Sequence, residues 1–214
     1  MNKRTIMWSL GFISWCCLVC ATSAQKITLE SGGLGFLKGQ AILNLEYVYE
    51  NVKVGKKTEE EYVQGKVQER DKKQPGAGEK WLSSWKDDRP SRFQPRFEEE
   101  MNKALSRRKL NVRTDQTNAP YTLVLRTLLV DPGWGFMPGM IMSMGRHDAR
   151  LDVVAVFVET GSRGKELARV TVTRVPGRGA VFTGTDLDSG YRLQEAYAKC
   201  GKELGRFIAK RTQP

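Results

Sequence analysis

Residues 149–174 read ARLDVVAVFVETGSRGKELARVTVTR, and the alternation in this stretch decides the fold. Leu151, Val153, Ala155 and Phe157 recur at every second position from Ala149 to Glu159. Ala168, Val170 and Val172 do the same from Lys165 to Arg174. A period of two marks a strand with one buried face. The link Thr160-Gly161-Ser162-Arg163-Gly164 is short and contains glycine, so the two strands are expected to pair antiparallel as a hairpin.

The same period appears upstream. Tyr121 to Asp131 places Leu123, Leu125 and Leu129 on one face. Ala41 to Tyr49 places Ala41, Leu43, Leu45, Tyr47 and Tyr49 on one face and Asn44, Glu46 and Glu50 on the other. Gln25 to Gly39 is glycine-rich and reads as a short strand with a loop.

Other stretches have helical spacing. Val54 to Lys73 carries a capping box, Thr58 followed by Glu61, with acids in its first turn and Tyr62, Val63 and Val67 as a modest apolar stripe. Gln74-Pro75-Gly76-Ala77-Gly78 stops it. Trp81 and Trp85 lie four apart and share a helix face, which predicts that they staple this helix to the sheet. Arg89 to Pro95, with two prolines, reads as a connector. Phe97, Met101, Ala104 and Leu105 mark a further helix face, with Glu98-Glu99-Glu100 toward its start and Arg107-Arg108-Lys109 at its end. That charge order suits the helix dipole, and the basic triplet also has the chemistry to hold phosphate.

The clearest helix closes the chain. Leu193, Ala196, Tyr197, Cys200, Leu204, Phe207 and Ile208 recur at three and four, with Arg192, Glu195, Lys199, Lys202, Arg206 and Lys210 opposite. Asp186 or Asp188 can cap its start. Cys200 on the apolar stripe is expected to be a buried, inert thiol. Together these elements predict an α+β domain of two layers: a mainly antiparallel sheet of about four strands with helices on one face.

The N-terminus predicts the compartment. Lys3 and Arg4 precede an uncharged stretch rich in Ile, Leu, Trp and Phe, which ends in Ala21-Thr22-Ser23-Ala24. This is the layout of a signal peptide over residues 1–24, cleaved after Ala24, leaving a single domain over 25–214 in the periplasm or envelope. An uncleaved anchor and lipidation at Cys20 or Cys16 are the weaker readings. Three of the four cysteines lie in this leader, so the exported chain would hold Cys200 alone and no internal disulfide. Loss of Lys3 and Arg4 lowers the formal charge from +11 to +9. Export argues against nucleic acid as partner, so a basic surface would favour anionic lipid or another polyanion, or serve solubility.

Little catalytic chemistry is visible. The single histidine, His147, cannot build a His-rich metal site, and no nucleophile elbow or phosphate-binding loop occurs. Neither metal nor cofactor is expected, and the chain is expected not to be an enzyme. If it were a hydrolase with an unrecognised site, Asp131, His147, Asp148, Asp186 and Asp188 would be the candidates.

The unusual stretch is 131–145, DPGWGFMPGMIMSMG, with four of the seven methionines and no charge after Asp131. An apolar, Met-rich connection between strands suggests an adaptable contact. Trp134, Phe136, Met137, Met140, Met142 and Met144 would form it, with Arg146 and Arg150 facing an acidic group. The expected partner is an envelope protein or a lipid, including contact with a membrane surface. The alternative is that the stretch plugs one end of the core.

Gly139, Gly145, Ala149-Arg150-Leu151, Thr160-Gly161 and Glu195-Ala196-Tyr197-Ala198, in this order, resemble a pattern of exported bacterial domains of unknown function. The order of elements also resembles LptE-like lipopolysaccharide-assembly lipoproteins and the auxiliary domains of envelope ABC transporters. That resemblance implies a small α+β domain that binds lipid or a protein partner and catalyses nothing. The lipidated cysteine of those lipoproteins has no clear counterpart here.

Overall fold

The hairpin read from residues 149–174 forms the centre of a larger sheet. The computed structural model describes residues 24–134, 147–179, 185 and 188–213. Strand β7 (Ala149–Glu159) pairs antiparallel with β8 (Ser162–Gly177) and with β6 (Tyr121–Asp131). β1 (Lys26–Gly32) closes one edge against β8. On the other side β6 is followed by β2 (Ile42–Val48) and then β5 (Asn111–Arg113), giving the order β1-β8-β7-β6-β2-β5. β3 (Lys53–Val54) continues beside β6, and β4 (Lys57–Thr58) pairs with β3.

The expected sheet of about four mainly antiparallel strands is therefore corrected to a mixed sheet of eight among the described residues. β2 runs parallel to both β5 and β6, and β3 runs parallel to β6. The cause is the long helical segment between β4 and β5. It carries the chain back to the end where β2 began, so the strands that follow it re-enter parallel to β2. β3, β4 and β5 have two or three residues each, too few to show a period of two.

That segment holds α1 (Glu59–Lys73), α2 (Ala77–Asp88) and α3 (Gln94–Leu105). The capping box forms as read. Thr58 Oγ1 accepts from the Glu61 amide at 3.2 Å, and the Glu61 carboxylate accepts from the Thr58 amide at 2.9 Å. The expected connector at Arg89–Pro95 is instead helical. A π-helical turn, Arg89–Phe93, joins α2 to α3 without a break, with Pro90 and Pro95 each near the start of a helical segment, where a missing N–H costs least.

The last helix, α4 (Ser189–Arg211), is capped by Asp188, whose Oδ1 accepts from the amides of Gly190 at 2.8 Å and Tyr191 at 3.2 Å. Its apolar stripe packs on the sheet and on α3 in one core with Phe97, Met101, Leu123, Leu125, Leu151 and Phe157. α3 and α4 approach closely at Gly201. A Cβ there would lie 2.2 Å from the Phe97 carbonyl oxygen. Cys200 is fully buried, and burial pushes its thiol pKa up, as expected for an inert side chain.

Two local departures follow from a β-bulge in β6. The register with β7 shifts between Thr127 and Leu129. One extra residue rotates the strand, so Val130 takes the buried position and Leu129, expected in the core, is half-buried. β7 is buried on both faces. Val154, Val156 and Val158 make a small second cluster with Val124 on the face away from α4. The ion pair from Arg163 to Glu46, two bonds of 2.7 Å, joins β8 to β2 across the two strands between them.

Candidate functional site

The end of β6 is built to hold one indole in the open. Asp131 Oδ1 accepts from the Gly133 amide at 2.9 Å and turns the chain. Gly133 sits at φ +60, and a Cβ there would meet the His147 carbonyl oxygen at 2.2 Å, so glycine is required. Trp134 and His147 then exchange two backbone hydrogen bonds, 2.9 and 3.2 Å. From α4, Arg192 donates through Nε and Nη2 to the Pro132 carbonyl at 3.1 and 2.9 Å, and through Nη2 to the Gly133 carbonyl at 3.2 Å. The backbone is thus gripped from β7's approach and from α4, while Trp134 remains 45% exposed.

Of the contact residues expected from sequence, the structure describes Trp134 and Arg150. Phe136, Met137, Met140, Met142, Met144 and Arg146 lie outside the described residues. Arg150 is engaged within the chain. Its Nε and Nη2 donate to the two carboxylate oxygens of Asp152 at 3.1 and 2.6 Å, and Asp152 also accepts from the Arg174 amide at 2.6 Å. The first cause of Arg150's raised pKa is that Asp152 hydrogen bond.

Leu128, which shares the parity of exposed Arg126 in β6, is 43% exposed and is, with Trp134, a large apolar side chain facing solvent among the described residues. One role in this region was not legible in the sequence, that of Arg192. The helical pattern puts Arg192 on the polar face of α4, yet it is 3% exposed. It is buried because the carbonyls of Pro132 and Gly133 satisfy its donors there, and no helical periodicity reports a partner some sixty residues away.

Among the described residues, the candidate hydrolytic side chains make separate contacts. His147 Nδ1 lies 3.9 Å from Asp131 Oδ2, with its side chain more than half exposed. Asp148 accepts from Arg178 Nε at 2.6 Å. Asp188 caps α4 and accepts from Arg92 Nη2 at 2.8 Å. Asp186 is outside the described residues. No group of three or more His, Cys, Asp or Glu side chains able to hold a metal occurs among the described residues.

A second feature is a hollow of about 680 Å³ beside α1 and α2, within the range of small-ligand pockets, lined by Val52, Lys53, Glu60, Leu82, Trp85 and Arg89 among others. At its wall the Glu59 carboxylate accepts from Trp85 Nε1 at 2.7 Å and from Arg89. Arg89 stacks over Tyr49, 4.3 Å from the ring centre. The tryptophan staple is more local than expected. Trp85 reaches the core, but Trp81 stacks on Trp85 at 5.6 Å and meets Tyr62 of α1 edge-on at 6.1 Å, so the pair chiefly binds α2 to α1.

Comparison with known proteins gives no family. No family model matches the sequence, and no curated protein matches it significantly. Among solved structures, two forms of PelC from Paraburkholderia phytofirmans are similar over 82% of this chain and 97% of theirs. The dodecamer of a PelC point variant matches with 10% identity and a TM-score of 0.34, and another PelC dodecamer with 12% identity and a TM-score of 0.33. Likeness at that level transfers neither assembly nor activity to this chain.

Proposed function

We propose that this chain is an exported, non-enzymatic binding protein of a bacterial envelope. It engages an envelope protein or a lipid with the end of the sheet where Trp134 stands. The observation that carries this reading is an exposed tryptophan on an immobilised backbone. An indole left 45% in water forgoes much of the free energy of its burial, and a fixed backbone keeps the entropy cost of docking it small. Leu128, on the strand that leads to Trp134, is exposed as well, and the uncharged, Met-rich sequence 135–145 continues from Trp134. Export is supported by the order of Lys3-Arg4, the apolar stretch and Ala21-Thr22-Ser23-Ala24. No helix among the described residues is long and apolar enough to cross a membrane.

The test is Trp134→Ala, alone and with Leu128→Ala, followed by affinity purification from detergent-extracted envelopes and by thermal melting. The reading predicts an unchanged melting temperature and loss of a co-purifying protein or lipid. Undiminished co-purification sinks it. A fall of several degrees in Tm would instead place Trp134 in the core's support.

A further inference from the structure

A third concavity lies where α3 and α4 both end. The 3-10 turn Ser106–Arg108 follows α3, and Lys109, at φ 55, reverses the chain into Leu110 and β5. Thr212, just past α4, and the segment after the 3-10 turn Gly35–Leu37 complete the wall. The hollow measures about 370 Å³ and is lined by Leu37, Lys38, Gly39, Arg107, Arg108, Leu110 and Thr212.

The arginines around it differ from most others on the surface. Most other described arginines meet a carboxylate: Arg89 with Glu59, Arg92 with Asp88 and Asp188, Arg163 with Glu46, Arg169 with Glu166, Arg178 with Asp148. Among the described residues no acid lines this hollow, and Lys38, Arg107, Arg108 and Lys109 form no ion pair. Arg108 is half-buried despite this. A cationic C-terminal turn offsets the partial negative charge of a helix end, roughly half an elementary charge for α3 and again for α4. Lys38, Arg107 and Arg108 supply three formal positive charges from two segments distant in sequence, more than those dipoles neutralise.

We propose that this hollow binds a phosphate group. The guanidinium groups of Arg107 and Arg108, both on the wall of the hollow, offer planar sets of donors that match phosphate oxygens, and Lys38 adds a point charge from a second segment. The phosphate could belong to a soluble phosphorylated compound or to a phosphomonoester lipid headgroup, and the chemistry of recognition is the same. The site shares no residue with the Trp134 surface, so either assignment can fail without the other.

The test titrates inorganic phosphate into the whole chain and follows the backbone amides of Gly39, Leu110 and Thr212 by nitrogen–proton correlation NMR. A parallel arm floats the protein on phosphatidylcholine vesicles with and without phosphatidic acid. Phosphate should shift those amides, and Arg107→Gln with Arg108→Gln should weaken binding at least about tenfold, while Lys165→Gln on the β8 hairpin binds as the wild type does. Flotation that requires phosphatidic acid and is lost in the double variant identifies the lipid headgroup as the source. Phosphate binding without flotation identifies a soluble phosphorylated compound. Should the double variant fail to fold, Lys38→Gln serves in its place, with a several-fold loss expected. Failure of phosphate to shift these amides together with absence of phosphatidic-acid-dependent flotation, or full affinity in the folded variants, overturns the assignment.

Discussion

Replacing Gly201 by alanine should destabilise the protein even though alanine is the better helix former. The Cβ would be placed 2.2 Å from the Phe97 carbonyl oxygen and 3.1 Å from the Phe97 Cα. An ordinary carbon contact is about 3.5 Å or more, so α3 and α4 must separate by roughly 1 Å at this point. The obstacle is helix backbone and cannot rotate away as a side chain would. Separation loosens Met101, Leu105, Cys200 and Leu204, all fully buried. Overpacking of this kind costs about 3 kcal/mol, and the gain in helix propensity returns about 1, leaving a net loss of about 2 kcal/mol. For a chain of this size that is a fall in Tm of about 4–8 °C. Gly65 in α1 is the control, because a Cβ there meets nothing within 4 Å. Gly65→Ala should raise stability by up to about 1 kcal/mol. Urea denaturation followed by circular dichroism measures both. A Gly201→Ala protein as stable as the wild type would refute the close α3–α4 packing on which the core rests.

Two further outcomes follow from buried and capping polar groups. Tyr197 and Thr127 share a hydrogen bond of 2.8 Å in the core, so Tyr197→Phe should cost about 1–2 kcal/mol by stranding the Thr127 hydroxyl, while adding Thr127→Val should recover much of that loss in the same urea titration. Asp188→Ala should cost about 1–2 kcal/mol at pH 7 through loss of the α4 cap. Burial raises the Asp188 pKa, but the Arg92 hydrogen bond and the capping amides outweigh it, and the net shift is downward. A depressed folded-state pKa contributes stability that is present above the unfolded value near 4 and is lost as pH falls through the folded value, so the penalty of Asp188→Ala should shrink when the titration is repeated at about pH 2–3.

The hairpin of β7 and β8, the inward faces of both strands, the cap of α1 and the stripe of α4 were legible because each is a local pattern longer than one period. The parallel pairing of β2 with β5 and β6 was not. It depends on where the three-helix segment returns the chain, and no local alternation records that. The bulge after Thr127 hid Val130 in the core and the displacement of Leu129 from it, since a single extra residue inverts every later assignment of faces. Trp134 was visible as an anomaly of composition, but its rigidity was not, because Arg192 comes from a helix at the other end of the chain. The basic hollow was half visible. Arg107-Arg108-Lys109 stands out in the sequence, whereas Lys38 and Thr212 join it only in the fold.

The central claim is that Trp134 is a contact surface. Its most direct test places a photo-crosslinking amino acid at position 134 of the chain expressed in its native envelope, with adducts read by mass spectrometry. The account predicts an adduct to another envelope protein or to a lipid, formed before any purification. Crosslinks confined to the chain's own residues would contradict it and assign Trp134 to the protein's own core.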